Sequence, residues 1–138
     1  ENIMVTDSGL VKIMDFGLAR AHDTHTITAT ATMLGTPGYM PPEQIQSQGP
    51  GPLGDQYALG ILAYEIMTRM HPFQEDDPLK MIFKHLSEVP PPPTERRADL
   101  PVELNEVIMK MIEKTPEKRY PDVQAANAAF QNAIWPPE

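Results

Sequence analysis

Two residues near the start of the chain carry the oxygen atoms that a hard metal ion takes as ligands. Asp15, in the stretch KIMDFGLAR, has a carboxylate, and Asn2, thirteen residues earlier, has an amide carbonyl. Both groups suit magnesium, which prefers oxygen ligands. Taken alone, Asp15 also fits a turn residue at the end of a hairpin, and Asn2 also fits a plain turn asparagine.

The elements around these residues are predicted to be a small hairpin and a long loop. Residues 3–5 and 11–14 are short apolar runs separated by turn residues at 7–9, which predicts a β-hairpin. Residues 18–36 follow neither a helix nor a strand period and end at Gly35-Thr36-Pro37-Gly38. A loop of that length inside a domain is usually functional.

A buried helix is predicted to begin at Asp55. The stretch DQYALGILAYEIMTRM, residues 55–70, has apolar side chains on nearly every face, which is typical of a helix at the centre of a core. We call it the hub helix. Asp55 is a suitable N-cap for it, since a carboxylate accepts hydrogen bonds from the first free N–H groups.

Three further helices are predicted after the hub helix. Asp77-Pro78 opens one that reaches about Leu86, and VPPPP at 89–93 predicts an extended connector because proline cannot continue a helix. Apolar residues at helical spacing predict the other two helices, at 104–112 and 125–133, with Trp135 as a terminal plug.

The composition indicates one acidic domain. The chain has 138 residues, of which 41% are hydrophobic, enough for one core. A net charge of −8 argues against a nucleic-acid-binding surface, and the absence of cysteine removes disulfides and thiolate metal sites. The four histidines lack metal-ligand spacing, so we expect no zinc site. We expect no membrane segment because no apolar run approaches eighteen residues. We also expect no signal peptide, because the first residues do not form a charged and then apolar leader.

Five features in order resemble the C-lobe of Hanks-type serine/threonine protein kinases. They are Asn2, the triplet Asp15-Phe16-Gly17, GTPGYMPPE at 35–43, DQYALG at 55–60 and Arg119 in EKTPEKRYPD. The resemblance covers essentially the whole chain and is closest to bacterial members. It implies a mainly α fold with a small N-terminal β-hairpin. Residues 1–138 would be a partial kinase domain, starting at the end of the catalytic loop, with the N-lobe absent.

The resemblance implies transfer of the γ-phosphate of ATP to Ser/Thr hydroxyls of protein substrates. Asp15 would bridge Mg²⁺ to the phosphates and Asn2 would hold a second ion, with Mn²⁺ as an alternative metal. Gly17 would permit the backbone turn beside the nucleotide. Thr36 would contact the catalytic aspartate and favour Ser/Thr over Tyr acceptors, although a turn-only role stays open. The chain alone is expected to be inactive, because the family's Gly-rich loop, lysine and catalytic aspartate are not in it.

The threonine-rich stretch before Gly35 corresponds to the activation loop of the family. Thr30 is our first choice of phosphorylation site and Thr28 the second, from their distance to Gly35. A phosphate there would pair with basic residues and order the loop. The alternative is an unmodified, solvated loop.

The resemblance also implies two structural roles. Glu43 and Arg119 would form a buried salt bridge, with surface roles as the alternative, and Asp55 would hold the catalytic loop besides capping its helix. Two residues depart from the family pattern. Pro41 replaces an alanine, and Arg69 occupies the place of a glycine that commonly ends the hub helix, which predicts strain there.

Two other functions stay open alongside the kinase. One is a pseudokinase or scaffold lobe that binds protein partners without catalysis, and the other is an unrelated helical binding domain. The expected location is cytoplasmic, with any membrane anchor of a full-length protein outside this segment.

Overall fold

The computed structural model describes residues 3–13, 37–49 and 51–138. These ranges contain one antiparallel hairpin and six α-helices, so the prediction of a mainly α chain with an N-terminal hairpin is confirmed. The elements are β1 Ile3–Val5, β2 Val11–Ile13, α1 Pro42–Ile45, α2 Pro52–Thr68, α3 Pro78–Ser87, α4 Pro93–Arg96, α5 Glu103–Met111 and α6 Val123–Ile134, with a 3-10 turn at Pro116–Lys118.

The hairpin forms where the turn chemistry predicts it. β1 and β2 are antiparallel, with Met4 opposite Lys12. Gly9 has a φ of 83°, in the left-handed region that glycine tolerates, and its N–H donates to the Thr6 carbonyl at 2.8 Å. The Thr6 hydroxyl accepts a further bond from the Leu10 N–H at 3.0 Å, which closes the turn.

The hub helix, α2, begins earlier than predicted. Its N-cap is Gly51 and its first residue is Pro52, whose fixed φ and missing N–H suit that position. Asp55 therefore lies inside the first turn, and the prediction that it caps the helix is wrong. Its carboxylate still lies near the positive end of the helix dipole, where a negative charge is favourable.

The hub helix is buried over only part of its surface. Tyr57, Ile61 and Tyr64 are completely buried, whereas 63% of Ile66 is exposed and Leu59 is also exposed. The expectation of a helix buried on nearly all faces is therefore too strong. The buried side packs against α5 and α6.

The end of the hub helix is strained, as Arg69 at a glycine position predicts. Arg69 has a φ of 62°, a conformation that costs a side-chain-bearing residue free energy. Neighbouring groups stabilise this end. The Thr68 hydroxyl donates to the Tyr64 carbonyl at 2.8 Å, and Arg97 Nη1 donates to the Met67 carbonyl at 3.0 Å.

The third helix and the connector after it follow the sequence pattern closely. The helix begins at Asp77-Pro78 as predicted, and the Asp77 side chain caps it by accepting from the Leu79 N–H at 2.9 Å and the Lys80 N–H at 3.1 Å. The extended connector ends at Pro92, because Pro93 begins α4 instead of continuing the extended run.

The main core lies between α2, α5 and α6. Leu104, Val107, Ile108 and Met111 are buried along one face of α5, which confirms the predicted amphipathic helix. Ala126 and Ala133 supply the buried positions of α6. Trp135 does not act as a plug, since 72% of it is exposed.

Gly60 brings the hub helix and α5 close together, which leads to a test of the packing. A Cβ at Gly60 would lie 2.6 Å from Ile112 Cγ2 and 2.8 Å from Met111 Cβ. Replacing a helical glycine by alanine normally stabilises a protein by roughly 0.5–1 kcal/mol. Here the overlap reverses the sign, and Gly60→Ala should lower the free energy of unfolding by about 1–3 kcal/mol.

Urea denaturation measures this change. Gly51→Ala is the comparison at an open position: no atom outside its chain neighbours lies within 4 Å of a Cβ built there, so its only cost is the loss of a glycine N-cap. A stabilising Gly60→Ala would contradict the described contact between α2 and α5.

Candidate functional site

The predicted site residues divide between described and undescribed parts of the chain. The structure describes Glu43, Asp55 and Arg119. The remaining predicted residues lie outside the described ranges, namely Asn2, Asp15, Gly17, Thr28, Thr30 and Thr36. The described part of the site therefore starts directly after Thr36, with residues 37–45, which we call the anchor segment.

The anchor segment has little regular structure of its own. It contains a turn, in which the Met40 N–H lies 3.4 Å from the Pro37 carbonyl, and the single turn of helix α1. Pro41 is the N-cap of this helical turn and Pro42 is its first residue, and neither has an N–H to donate. The segment is therefore held mainly by side chains from other parts of the molecule.

The strongest of these attachments is the ion pair between Arg119 and Glu43. Arg119 Nη1 donates to Glu43 Oε1 at 2.7 Å, and Nη2 donates to Oε2 at 2.9 Å. The guanidinium side chain is completely buried, and only 11% of the Glu43 side chain is exposed. A two-point arginine–carboxylate pair fixes orientation as well as distance.

Arg119 also binds two backbone carbonyls. Its Nε donates to Glu113 O at 2.8 Å, and Nη1 donates to Leu53 O at 2.7 Å. The guanidinium carbon lies 4.9 Å from the centre of the Tyr57 ring, which adds a cation–π attraction. One side chain thus joins α1, the first turn of α2 and the connection after α5.

The ionisation of Glu43 follows from this arrangement. Burial alone would raise the pKa of Glu43, but hydrogen bonds and the positive charge of Arg119 outweigh it and hold the pKa below its ordinary value. The folded carboxylate is therefore ionised at neutral pH. Its stabilising contribution is present above the ordinary carboxyl pKa and is lost as the pH falls through the lowered value.

Two close neighbours keep the ion pair in place. A Cβ at Gly54 would lie 3.2 Å from Pro41 Cγ and 3.4 Å from Glu43 Oε1, so the start of α2 passes directly against the pair. The completely buried Gln56 donates to Tyr120 O at 2.9 Å and accepts from the Tyr120 N–H at 3.0 Å. These two hydrogen bonds fix the backbone of Tyr120, the residue next to Arg119. Sequence analysis missed Gln56, whose signal was a polar residue within an apolar helix.

A second attachment holds the exposed side of the anchor segment. The Tyr39 hydroxyl donates to Glu65 Oε1 at 2.8 Å. Burial, followed by the hydrogen bond and charge of Glu65, raises the pKa of Tyr39 to about 12. The phenol therefore stays protonated and keeps donating throughout the physiological range.

A buried histidine lies beneath the segment. His85 Nδ1 is 2.7 Å from the Tyr57 hydroxyl, and its Nε2 has no hydrogen-bond partner among the described residues. Burial, then the charges of Lys114 and His71, lower the pKa of His85 to about 3. The ring is therefore neutral at physiological pH, and nothing in its sequence context indicated a buried position.

The described ranges contain no group of three or more histidine, aspartate or glutamate residues arranged to hold a metal ion. The predicted magnesium ligands lie in the undescribed part. Among the helices that the structure describes, none has both the length and the apolar character needed to cross a membrane.

Comparison with known proteins places these features in one family. The family model for the protein kinase domain matches residues 1–131. A probable serine/threonine-protein kinase of Clostridium acetobutylicum is 41% identical over 119 residues, covering 86% of this chain and 18% of the relative. Serine/threonine-protein kinase PknB of Mycobacterium leprae is 41% identical over 120 residues, and PknB of Mycolicibacterium smegmatis is 42% identical over 121 residues. For both PknB proteins the match covers 86% of this chain and 19% of the relative, so the chain spans about a fifth of the curated relatives' length.

The buried ion pair leads to a prediction with a matched surface control. Glu43→Gln leaves the Arg119 cation buried without its partner, so the free energy of unfolding should fall by about 3–5 kcal/mol. Asp99→Asn makes the same change from carboxylate to amide in an exposed pair, where Asp99 receives two bonds from Arg97 at 3.0 Å and 3.1 Å. That control should leave stability nearly unchanged, because solvent screens the pair.

Chemical denaturation at pH 7 and at low pH separates the two variants. The difference between wild type and Glu43→Gln should shrink as the pH falls and the wild-type carboxylate takes up a proton. Equal effects of the two substitutions at pH 7 would show that the Arg119–Glu43 pair does not stabilise the fold.

Proposed function

The chain belongs to the protein kinase domain family, and from this premise we propose that it forms part of a serine/threonine protein kinase. The proposed reaction is transfer of the γ-phosphate of ATP to serine or threonine hydroxyls of protein substrates. The observation that carries the proposal is identity of about 40% with relatives named serine/threonine-protein kinases over 86% of the chain. The buried Arg119–Glu43 pair supports the proposal from the structure, because the resemblance to kinases implies this pair and the two residues are bonded.

ATP and a divalent metal are the proposed cofactors. Asp15 would hold Mg²⁺ against the phosphates, Asn2 would hold a second ion, and Mn²⁺ could substitute in this set. The donor atoms, a carboxylate and an amide oxygen, fit a hard cation. The bound metal would neutralise phosphate charge during transfer. Gly17, two residues after Asp15, would let the backbone turn away from the nucleotide.

Thr36 is the proposed selector of the acceptor hydroxyl. It is bonded to Pro37, and both Pro37 and Gly38 are buried. Thr36 therefore adjoins backbone whose position is fixed by packing. Its hydroxyl would contact the catalytic aspartate and favour serine and threonine over tyrosine as acceptors.

Regulation is proposed to act through Thr30 and Thr28. Each phosphate would add about 1.5–2 negative charges at neutral pH. Those charges would pair with basic side chains and order the loop that leads to Thr36.

The proposed partners are proteins that carry an acceptor serine or threonine. The net charge of −8 offers no attraction for nucleic acid. We place the domain in the cytoplasm, with any membrane attachment of the full-length protein in another segment.

The first functional prediction concerns Asp15. In the intact protein that carries this chain, Asp15→Ala should reduce phosphate transfer to background, because the metal loses a charged ligand at the phosphates. Asp7→Ala is the matched control, since Asp7 is an exposed residue of the hairpin turn and should leave the rate unchanged. The measurement is incorporation of labelled γ-phosphate into a protein substrate. Full transfer by Asp15→Ala would rule out the assigned role.

The second functional prediction concerns the activation loop. Mass spectrometry of active, purified intact protein should find phosphate on Thr30, on Thr28 or on both. Treatment with a phosphatase should remove the phosphate and lower the rate, because the loop loses the charge that orders it. Fully active protein with both threonines unmodified would contradict the proposal.

A further inference from the structure

We propose that His71 is a positioning residue for the protein substrate. Its imidazole binds the backbone of Gly38, two residues after Thr36, and so fixes the start of the anchor segment, against which the acceptor would lie. This inference rests on the proposed kinase function and adds a residue that the sequence motifs did not indicate.

The hydrogen bonds of His71 define its tautomer. The Phe73 N–H donates to His71 Nδ1 at 3.0 Å, so in the neutral ring Nδ1 is the acceptor and the proton is on Nε2. Nε2 lies 2.7 Å from Gly38 O and donates to it. The connection between α2 and α3 is thereby joined to a residue 33 positions earlier in the chain.

Further contacts hold the His71 ring. Nδ1 also lies 2.8 Å from Phe73 O. The aromatic neighbours are Tyr39, with ring centres 5.8 Å apart, and His85, with ring centres 6.1 Å apart. His71 is therefore held by the backbone of Phe73 and by packing against two further rings.

The His71 ring packs against the Gly38 backbone. A Cβ at Gly38 would lie 3.4 Å from His71 Nε2, an ordinary van der Waals distance. Below them the His85 ring packs edge-on against Phe73, with ring centres 5.0 Å apart. His71 therefore lies between the Gly38 backbone and the buried ring of His85.

The two ends of the anchor segment have separate attachments. Arg119 holds Glu43 at the end that leads into α1, and His71 holds Gly38 at the end next to Thr36. Loss of the His71 bond should therefore shift the substrate-facing end while the Arg119–Glu43 pair stays intact. The expected result is weaker substrate binding with little change in the handling of ATP.

Three substitutions in the intact protein test this role. His71→Gln places an amide N–H near the position of Nε2 and can keep the bond to Gly38. His71→Asn places its amide near the position of Nδ1 and can keep only the local contact with Phe73. His71→Ala keeps neither. Thermal unfolding of each variant monitors the fold.

Steady-state kinetics with a peptide substrate gives the main result. His71→Ala and His71→Asn should raise the peptide KM roughly three- to tenfold, the loss expected for one hydrogen bond, with kcat and the KM for ATP nearly unchanged. His71→Gln should restore most of the peptide KM.

Each other outcome overturns the proposal in a recognisable way. Rescue by Asn but not by Gln would assign His71 to the local turn alone. A peptide KM unchanged in all three variants, or equal changes in both KM values with a lower melting temperature, would remove the positioning role. A wild-type protein that transfers no phosphate would overturn the proposed kinase function and this inference with it. An active wild type whose His71→Ala variant has an unchanged peptide KM would overturn the inference alone.

Discussion

The fold around the candidate site depends on one buried cation, the guanidinium of Arg119. A buried charge is tolerated only when it is paired and its donors are used. Arg119 meets this condition with four hydrogen bonds, two to Glu43 and one each to the carbonyls of Leu53 and Glu113. These partners belong to α1, the start of α2 and the connection after α5. Their relative positions are therefore fixed together, and none can move without leaving the cation partly unsatisfied.

This constraint explains how a segment with little structure of its own can hold a defined position. The anchor segment contains two adjacent prolines and one helical turn, so its backbone bonds alone are weak. Arg119 holds its far end, Tyr39 bonds to Glu65 on the hub helix, and His71 binds Gly38. The helical core below supplies rigidity through close approach at Gly60. Stability and the proposed substrate surface thus depend on the same packed helices.

The parts of the fold that were predictable have local causes. Gly9 in the hairpin turn, Asp77 at the start of α3 and the apolar face of α5 each act within a few residues of their own position. The start of α2 was missed because the residues before Asp55 are rich in glycine and proline, which is typical of a loop, yet Pro52 suits the first helical position. Trp135 was misplaced because burial depends on a distant partner.

In the candidate site, too, the features that depend on distant partners were the hardest to predict. Glu43 and Arg119 are 76 residues apart, and only the family resemblance, not any periodicity, indicated their pairing. His71 and His85 had no predictive pattern, because each acts on backbone or side chains far away in sequence. Gln56 was marked only by its polarity within an apolar helix, which did not indicate its distant partner Tyr120.

The most direct test of the role of Arg119 is amide hydrogen exchange of α1 in wild type and Glu43→Gln. The N–H groups of Gln44, Ile45 and Gln46 bond to the carbonyls of Pro41 and Pro42, and their exchange should accelerate more than that of the α5 amides, which follow the predicted fall of about 3–5 kcal/mol in global stability. Unchanged exchange in α1, or equal acceleration in α1 and α5, would contradict the claim that Arg119 holds the anchor segment in place.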